Sequence, residues 1–311
     1  MRPHRQWFGY TGLLLGIGLA SPALAQGENH PPPSESVTVT GSKTSPDKIL
    51  HDFIVSYTRP SPASGKVARW HGGVCPGATG LPASWNASVM ARVREIASLA
   101  GAPVAAAACR PNIDIVFTKN PQTLLDEVRA AKSWLLGYHD LAQEKKIATV
   151  SHALQAWYMT QTVDAQGGIY TDDKLHPEGV YFGGFYYPNA HVEYWSGNHL
   201  GDERRSELMH VLVVVDLAKV DGIHLSAVID YVAMLSLAQT SAFDACQPVT
   251  TIANLTAPQC DAKLKTDTIS GQDLAYLRAL YSIDLHDSLI EQQGKIAYEM
   301  KKNLAAPADA P

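Results

Sequence analysis

The run from Ser206 to Asp216 carries residue types that could bind a metal ion and activate water. In this run Glu207 is followed by His210 and then by Asp216, on a segment that we predict to be a helix over residues 202–220. Imidazole and carboxylate groups are zinc ligands, and a glutamate beside a zinc-bound water can act as a general base. Glu207 is therefore the candidate general base, and His210 and Asp216 are the candidate metal ligands.

This spacing is similar to the zinc motif of the metzincin peptidases. In that motif two ligands four residues apart lie on one helix face, and a third ligand follows six residues later, after a glycine that lets the chain turn. Ser206 stands here where the first histidine should be, and Val213 stands where the glycine should be. The sequence thus resembles a degenerate form of the motif.

The resemblance extends over about residues 84–285. Residues 273–281 resemble the closing helix of matrixin-type metzincins, and Met234 lies where a Met-turn would be. The chain also resembles an uncharacterised exported proteobacterial family with this layout and a degenerate zinc motif. The resemblance implies an α+β, zincin-like fold with a mixed sheet packed against a central helix and with C-terminal helices. It implies zinc as the cofactor only if the site is intact.

The same run has an alternative interpretation as part of the core. His210 would then be a hydrogen-bonded core residue, and Glu207 and Asp216 would be surface charges. The apolar residues would form the buried stripe of a core helix, or the β-branched run would be a strand; they are Leu208, Val211, Leu212, Val215 and Val220. The two departures from the motif favour this interpretation over an intact zinc site.

A second candidate surface is the aromatic and glycine-rich segment 179–199. Its candidate binding residues are Tyr186, Tyr187, His191, Glu193 and Trp195. His191 and Glu193 with His199 could also bind a metal ion, alone or together with His210, whereas the ordinary role of the aromatic residues is to cover one side of the core. A peptide or a component of the cell envelope is the partner that such a surface would suit.

Four cysteines, Cys75, Cys109, Cys246 and Cys260, indicate disulfide bonds, because their number is even and the chain has the signature of an exported protein. Three pairings are possible, and we expect Cys75–Cys109 and Cys246–Cys260. The absence of a C-x-x-C spacing makes a cysteine metal site the less favoured interpretation.

Residues 1–25 have the pattern of a secretory signal peptide. Arg2 and Arg5 precede an apolar stretch over residues 10–20, and the small residues of Ala23-Leu24-Ala25 predict cleavage before Gln26. The apolar stretch is shorter than the ~20 residues that span a bilayer. We therefore expect an exported protein without membrane integration, and the resemblance to an exported proteobacterial family implies that its location is the bacterial periplasm or the medium.

We predict a flexible linker over residues 26–48, one globular domain over residues 49–302 and a disordered tail over residues 303–311. The net charge of −5 gives no electrostatic argument for binding nucleic acid. Within the domain we predict strands at 50–58, 66–70, 112–118 and within 147–164, with a turn at 164–168 and a returning strand from Ile169. The other predicted helices cover 85–100, 121–131, 224–239, 271–282 and 286–302.

These patterns favour an exported, non-catalytic zincin-like domain with a binding or structural role. One alternative is a metallohydrolase of the peptidase type with atypical ligands. Another is an unrelated exported α/β domain, in which the run around Glu207 and His210 is only core and faces no cleft.

Overall fold

A mixed β-sheet organises the fold in the computed structural model, which describes residues 44–176, 178–182, 184–188 and 203–305, with Phe182 described by its backbone alone. The strands are β1 (Ala68–Arg69), β2 (Pro76–Thr79), β3 (Ile113–Thr118), β4 (Leu154–Val163), β5 (Ile169–Thr171), β6 (Val180–Phe182), β7 (Phe185–Tyr187) and β8 (Arg205–Asp216). The main sheet has the order β2-β3-β8-β4-β5, and β1 pairs with the start of β8. Strands β6 and β7 form a separate hairpin.

Strand β8 is the centre of the sheet, so the predicted helix over residues 202–220 is wrong. It runs parallel to β1 and β3 and antiparallel to β4. The run Val211-Leu212-Val213-Val214-Val215 is continuously apolar and mostly β-branched, which is typical of a strand buried on both faces. The prediction relied on the helical spacing of some apolar residues. An unbroken apolar run, however, fits the helical period of 3.6 residues and the strand period of two equally well.

The two faces of β8 contribute to two different hydrophobic clusters. Val211, Val213 and Val215 lie in the larger cluster, which also contains buried residues of five of the helices described below. Leu212 and Val214 lie in a smaller cluster with Trp157 on β4. The alternation follows from the period of two in a strand, and it means that helices or loops cover the sheet on both sides.

Seven α-helices are present in the described part of the chain. They are α1 (Pro46–Tyr57), α2 (Ala83–Ala100), α3 (Pro121–Lys132), α4 (Leu141–Ile147), α5 (Leu225–Leu237), α6 (Gly271–Ser282) and α7 (Leu289–Ala305). Helices α2 and α5 supply buried residues to the larger cluster, and α3 supplies Leu125 to the smaller one. The fold thus contains both helices and strands and has a mixed sheet, which confirms this coarser part of the predicted fold class.

Helix α1 occupies the region where we predicted a strand at 50–58. Ser45 caps its first turn by accepting a hydrogen bond from the Lys48 backbone N–H, and Pro46 begins the helix. Its buried residues Phe53, Ile54 and Tyr57 recur at helical spacing. The helix begins at Pro46, inside the range that we predicted as linker.

The helices predicted at 85–100, 121–131, 224–239, 271–282 and 286–302 are confirmed as α2, α3, α5, α6 and α7. Gly101 ends α2 in the left-handed conformation, with φ of 77°. Ser270 begins α6 with a capping box shared with Asp273. Helix α4 was not predicted. It has only seven residues, and none of them is buried.

Two disulfide bonds join Cys75 to Cys109 and Cys246 to Cys260, so both expected pairings are confirmed. The first ties the start of β2 to the loop before β3. The second closes a loop between α5 and α6. In the part of the chain that the structure describes, the helices lack the combination of length and hydropathy that a membrane span requires.

Candidate functional site

The predicted zinc motif lies on β8, where neighbouring side chains point to opposite faces of the sheet. The position of the missing first ligand, Ser206, therefore faces away from Glu207. Both residues are buried, with Ser206 fully inaccessible and Glu207 4% exposed. The convergence that a zinc motif obtains from one helix face is not available on this strand.

Each of the three predicted site residues on β8 has a structural partner. The Glu207 carboxylate accepts hydrogen bonds from Arg205 Nε at 2.7 Å and Gln161 Nε2 at 2.9 Å. His210 Nε2 lies 3.1 Å from Asp114 Oδ2 on β3. The Asp216 carboxylate accepts a hydrogen bond from the Ala218 backbone N–H in the turn after the strand. Among the described residues, no three His, Cys, Asp or Glu side chains are grouped as a metal site would need.

The aromatic candidates divide between the described hairpin and residues outside it. His191, Glu193 and Trp195 lie outside the described residues, so their role as binding residues stays a prediction. Tyr186 on β7 is half exposed, and its hydroxyl donates to the Glu178 carbonyl. Tyr187 is partly buried and packs against a small cluster that includes Met159 on β4. Tyr187 is therefore partly a core residue, whereas Tyr186 presents its ring to solvent.

A cleft of about 920 Å³ opens elsewhere, beside the first half of β4. Its walls come from α4, from the chain that follows α1, and from the chain that follows α5. The residues that line it are Arg59, Pro62, Tyr138, Gln143, Lys146, Ile147, Thr149, Ser151, His152, Gln155, Ala156, Trp157, Tyr158, Lys174, Gln239, Thr240 and Phe243. Such a volume is within the range of small-molecule sites.

The charged side chains that line this cleft are all cationic. Arg59, Lys146 and Lys174 contribute to the wall, and the described lining contains no aspartate or glutamate. None of the three has an ion pair with a described residue, and the Lys174 ammonium lies 4.8 Å from the centre of the Tyr138 ring. In a chain of net charge −5, this is a local concentration of positive charge. An anion is the ligand that it would attract.

The lining of the cleft combines polar groups held by hydrogen bonds with one amide oxygen that has no partner among the described residues. The Gln155 side chain bridges the Thr149 carbonyl and the Ser151 backbone N–H. Burial raises the pKa of the Tyr158 phenol, which stays protonated and donates to the Leu235 carbonyl at 3.0 Å. Gln239 is 5% exposed, yet its Oε1 has no hydrogen-bond partner in the described part of the chain. An unpaired buried amide costs about 1–3 kcal/mol, which a bound ligand or water would recover.

His152 is one of the residues that line the cleft, and Asp244 orients it. Its Nδ1 lies 2.8 Å from Asp244 Oδ2, and the other oxygen of Asp244 accepts a hydrogen bond from the Thr256 hydroxyl. The imidazole also packs on Phe243, with 5.3 Å between the ring centres. Asp244 has a positive φ of 54°, in the left-handed region that aspartate adopts more often than most residues other than glycine.

Sequence patterns did not predict this cleft. His152 and Asp244 are 92 positions apart, and the three cations come from three different parts of the chain. The fold brings them together through the pairing of β4 with β8 and through the chain after α5. A short motif cannot carry that information. The nearest sequence signal is Cys246, whose disulfide ties the loop that carries Asp244.

Comparison of the chain with protein-family models, with curated proteins and with solved structures finds no match.

Proposed function

We propose that this protein is an exported binding protein that holds a small organic anion in the cleft beside β4. The observation that carries this proposal is the set of three cations, Arg59, Lys146 and Lys174, in a described lining without a carboxylate. Export is supported by the signal-peptide pattern of residues 1–25 and by the two disulfides, which are typical of oxidising compartments.

The cations favour an anionic ligand for an electrostatic reason. Like charges lining one cleft repel each other, and none of these three is neutralised by an ion pair with a described residue. A carboxylate or phosphate bound among them removes that repulsion, and the Arg59 guanidinium can bind either group with two parallel hydrogen bonds. The affinity should therefore depend on the ligand's charge.

The remainder of the lining favours a ligand with an apolar or aromatic body. Tyr138, Trp157 and Phe243 contribute ring surfaces, while Gln143 and Gln239 contribute amides. Most small-molecule sites combine apolar walls with a few polar groups that fix orientation. We therefore expect an organic anion rather than a bare inorganic ion.

Calorimetric titration of the mature protein tests this proposal with three probes, 4-phenylbutyrate, phenyl phosphate and the uncharged 4-phenylbutanamide. At least one anion should bind more tightly than the amide. K146Q should weaken anion binding about two- to fivefold, which corresponds to an ion pair of about 0.4–1 kcal/mol at a solvent-accessible site.

K145Q is the matched control. Lys145 precedes Lys146 on α4 and carries the same charge, but it does not line the cleft. Its removal should leave the affinity nearly unchanged. The proposal is wrong if both anions bind no better than the amide, or if K145Q and K146Q weaken binding equally.

A further inference from the structure

The His152–Asp244 pair joins residues that are far apart in the sequence, unlike the His–Asp pairs between close neighbours. His286 pairs with Asp284, two positions away, on an exposed turn outside the cleft. His152 and Asp244 instead come from distant parts of the chain, and His152 lines the cationic cleft. A contact between neighbours in sequence needs only a local turn, whereas this one depends on the tertiary fold.

The contact with Asp244 determines which nitrogen of His152 is left to act as a proton acceptor. Nδ1 is committed to Asp244 Oδ2 at 2.8 Å, so the neutral imidazole carries its proton on Nδ1 and its lone pair on Nε2. Asp244 is itself held by the Thr256 hydroxyl, and Phe243 supports the ring. Nε2 has no hydrogen-bond partner among the described residues. His152 thus offers a proton acceptor to whatever occupies the cleft.

We infer that the cleft hydrolyses a carboxylic ester that carries a second, anionic group, with His152 as the general base. The inference rests on the proposed function, because the cations must hold the anionic group. It extends that function from binding an anion to hydrolysing a bound ester. Asp244 is a positioning residue, since it orients the imidazole and stabilises the imidazolium that forms.

The reaction balances with water as the only co-reactant. His152 Nε2 takes a proton from a water molecule while the water oxygen forms a bond to the ester carbonyl carbon, and the C=O electron pair moves onto the carbonyl oxygen. The intermediate collapses by breaking the acyl–oxygen bond. The imidazolium returns the proton to the leaving oxygen, so the products are a carboxylic acid and an alcohol, with no change of oxidation state.

The lining explains why water rather than a side chain is the nucleophile. The Ser151 hydroxyl makes no hydrogen bond to the neighbouring His152 ring, whose Nδ1 contacts Asp244. The Thr149 and Thr240 hydroxyls are engaged with backbone groups of their own segments. The described part of the cleft therefore pairs no hydroxyl with the imidazole. The nearby cations would stabilise the negative charge that develops on the carbonyl oxygen.

The test follows release of 4-nitrophenolate from mono(4-nitrophenyl) glutarate by the mature protein and compares it with release from the uncharged methyl ester of the same compound. H152Q should lower kcat by about 100-fold or more, the usual contribution of a general base. D244N should lower kcat by about tenfold or more and leave KM nearly unchanged, because it disturbs the tautomer and not the anion contacts. The wild-type reaction should be slower in D2O.

H286Q is the matched control, since it removes a histidine from a His–Asp pair outside the cleft. It should keep the wild-type rate. Thermal melting of each variant establishes that a lost rate is not a lost fold. The inference is overturned if H152Q keeps the wild-type rate, or if H286Q lowers the rate as much as H152Q does.

The outcomes separate this inference from the proposed function. If the anions bind in calorimetry and the ester is not hydrolysed above the H152Q level, the cleft binds anions and the hydrolytic inference alone fails. If both esters are hydrolysed equally well and H152Q abolishes the reaction, the role of His152 as the general base is supported and the anion-binding proposal fails.

Discussion

At the scale of single residues, Asp172 is a buried carboxylate beside the sheet, and no cation among the described residues forms an ion pair with it. It is 2% exposed, and three hydroxyls donate to its carboxylate: those of Thr160 at 2.5 Å, Thr162 at 2.7 Å and Ser61 at 3.1 Å. Burial raises its pKa, and the hydrogen bonds only partly oppose that shift. Asp172 follows β5 and lies two positions before Lys174 of the cleft, so it anchors a segment that positions a cation.

We expect D172N to gain stability relative to the wild type as the pH rises. The folded-state pKa of Asp172 is raised above the unfolded value, so its stabilising contribution is present below about pH 4 and is lost as the pH rises through the folded pKa. The amide introduced by the substitution has no charge to desolvate. Urea unfolding of both proteins from about pH 3.5 to about pH 8 should show the difference changing by at most about 1.4 kcal/mol per pH unit.

A difference that moves the opposite way would contradict the raised pKa. It would mean that the three hydroxyl donors stabilise the ionised carboxylate by more than burial costs. Because Asp273 is also buried and has a raised pKa, the wild type alone cannot isolate Asp172, and the comparison at each pH removes the contribution that both proteins share.

At the scale of elements, several of the correctly predicted helices carry signals at their ends, although the Ser45 cap and Pro46 start of α1 were not sufficient to predict that helix. Ser270 with Asp273 marks the start of α6, Gly101 marks the end of α2, and Pro121 begins α3. Strand β8 has no such signals, and its apolar run fits a core helix and a doubly buried strand equally well. Only its neighbours β3 and β4 decide between them, and pairing is not visible in one sequence.

The disulfide loop between α5 and α6 leads to a second prediction. Cys246 and Cys260 are 14 positions apart, and in the chain-entropy model a loop of this size contributes about 3 kcal/mol. Replacing both cysteines by alanine should therefore lower the free energy of unfolding by about 3 kcal/mol. The same replacement of Cys75 and Cys109, 34 positions apart, should cost about 4 kcal/mol.

The two double variants control for each other, because both remove one disulfide. Only the Cys246–Cys260 disulfide lies close in sequence to Phe243, a residue of the cleft lining, so only its loss should also lower the affinity of the cleft for 4-phenylbutyrate. Denaturant unfolding and calorimetric titration measure the two effects separately. Equal loss of affinity in both variants would show a general loosening of the fold rather than a local one.

At the scale of the whole molecule, two electrostatic effects oppose each other. The chain has 30 acidic and 25 basic residues, so its overall field repels an anion. The cleft brings Arg59, Lys146 and Lys174 into one lining and attracts it. Composition showed the first effect and could not show the second, because the arrangement of charges depends on which parts of the chain the fold brings together.

The salt dependence of binding decides which effect is stronger. Raising the ionic strength from about 0.01 M to 0.1 M shortens the screening length from about 30 Å to 10 Å. Salt therefore weakens the repulsion between the anion and distant acidic residues most, and it also weakens the attraction between the anion and the three cations of the cleft. If the cations dominate, the affinity for 4-phenylbutyrate should fall across this range, while that for 4-phenylbutanamide should stay constant. The fall should be smaller in K146Q than in K145Q. An affinity that rises with salt would mean that the acidic surface governs the encounter, and the cleft would then not be an anion site.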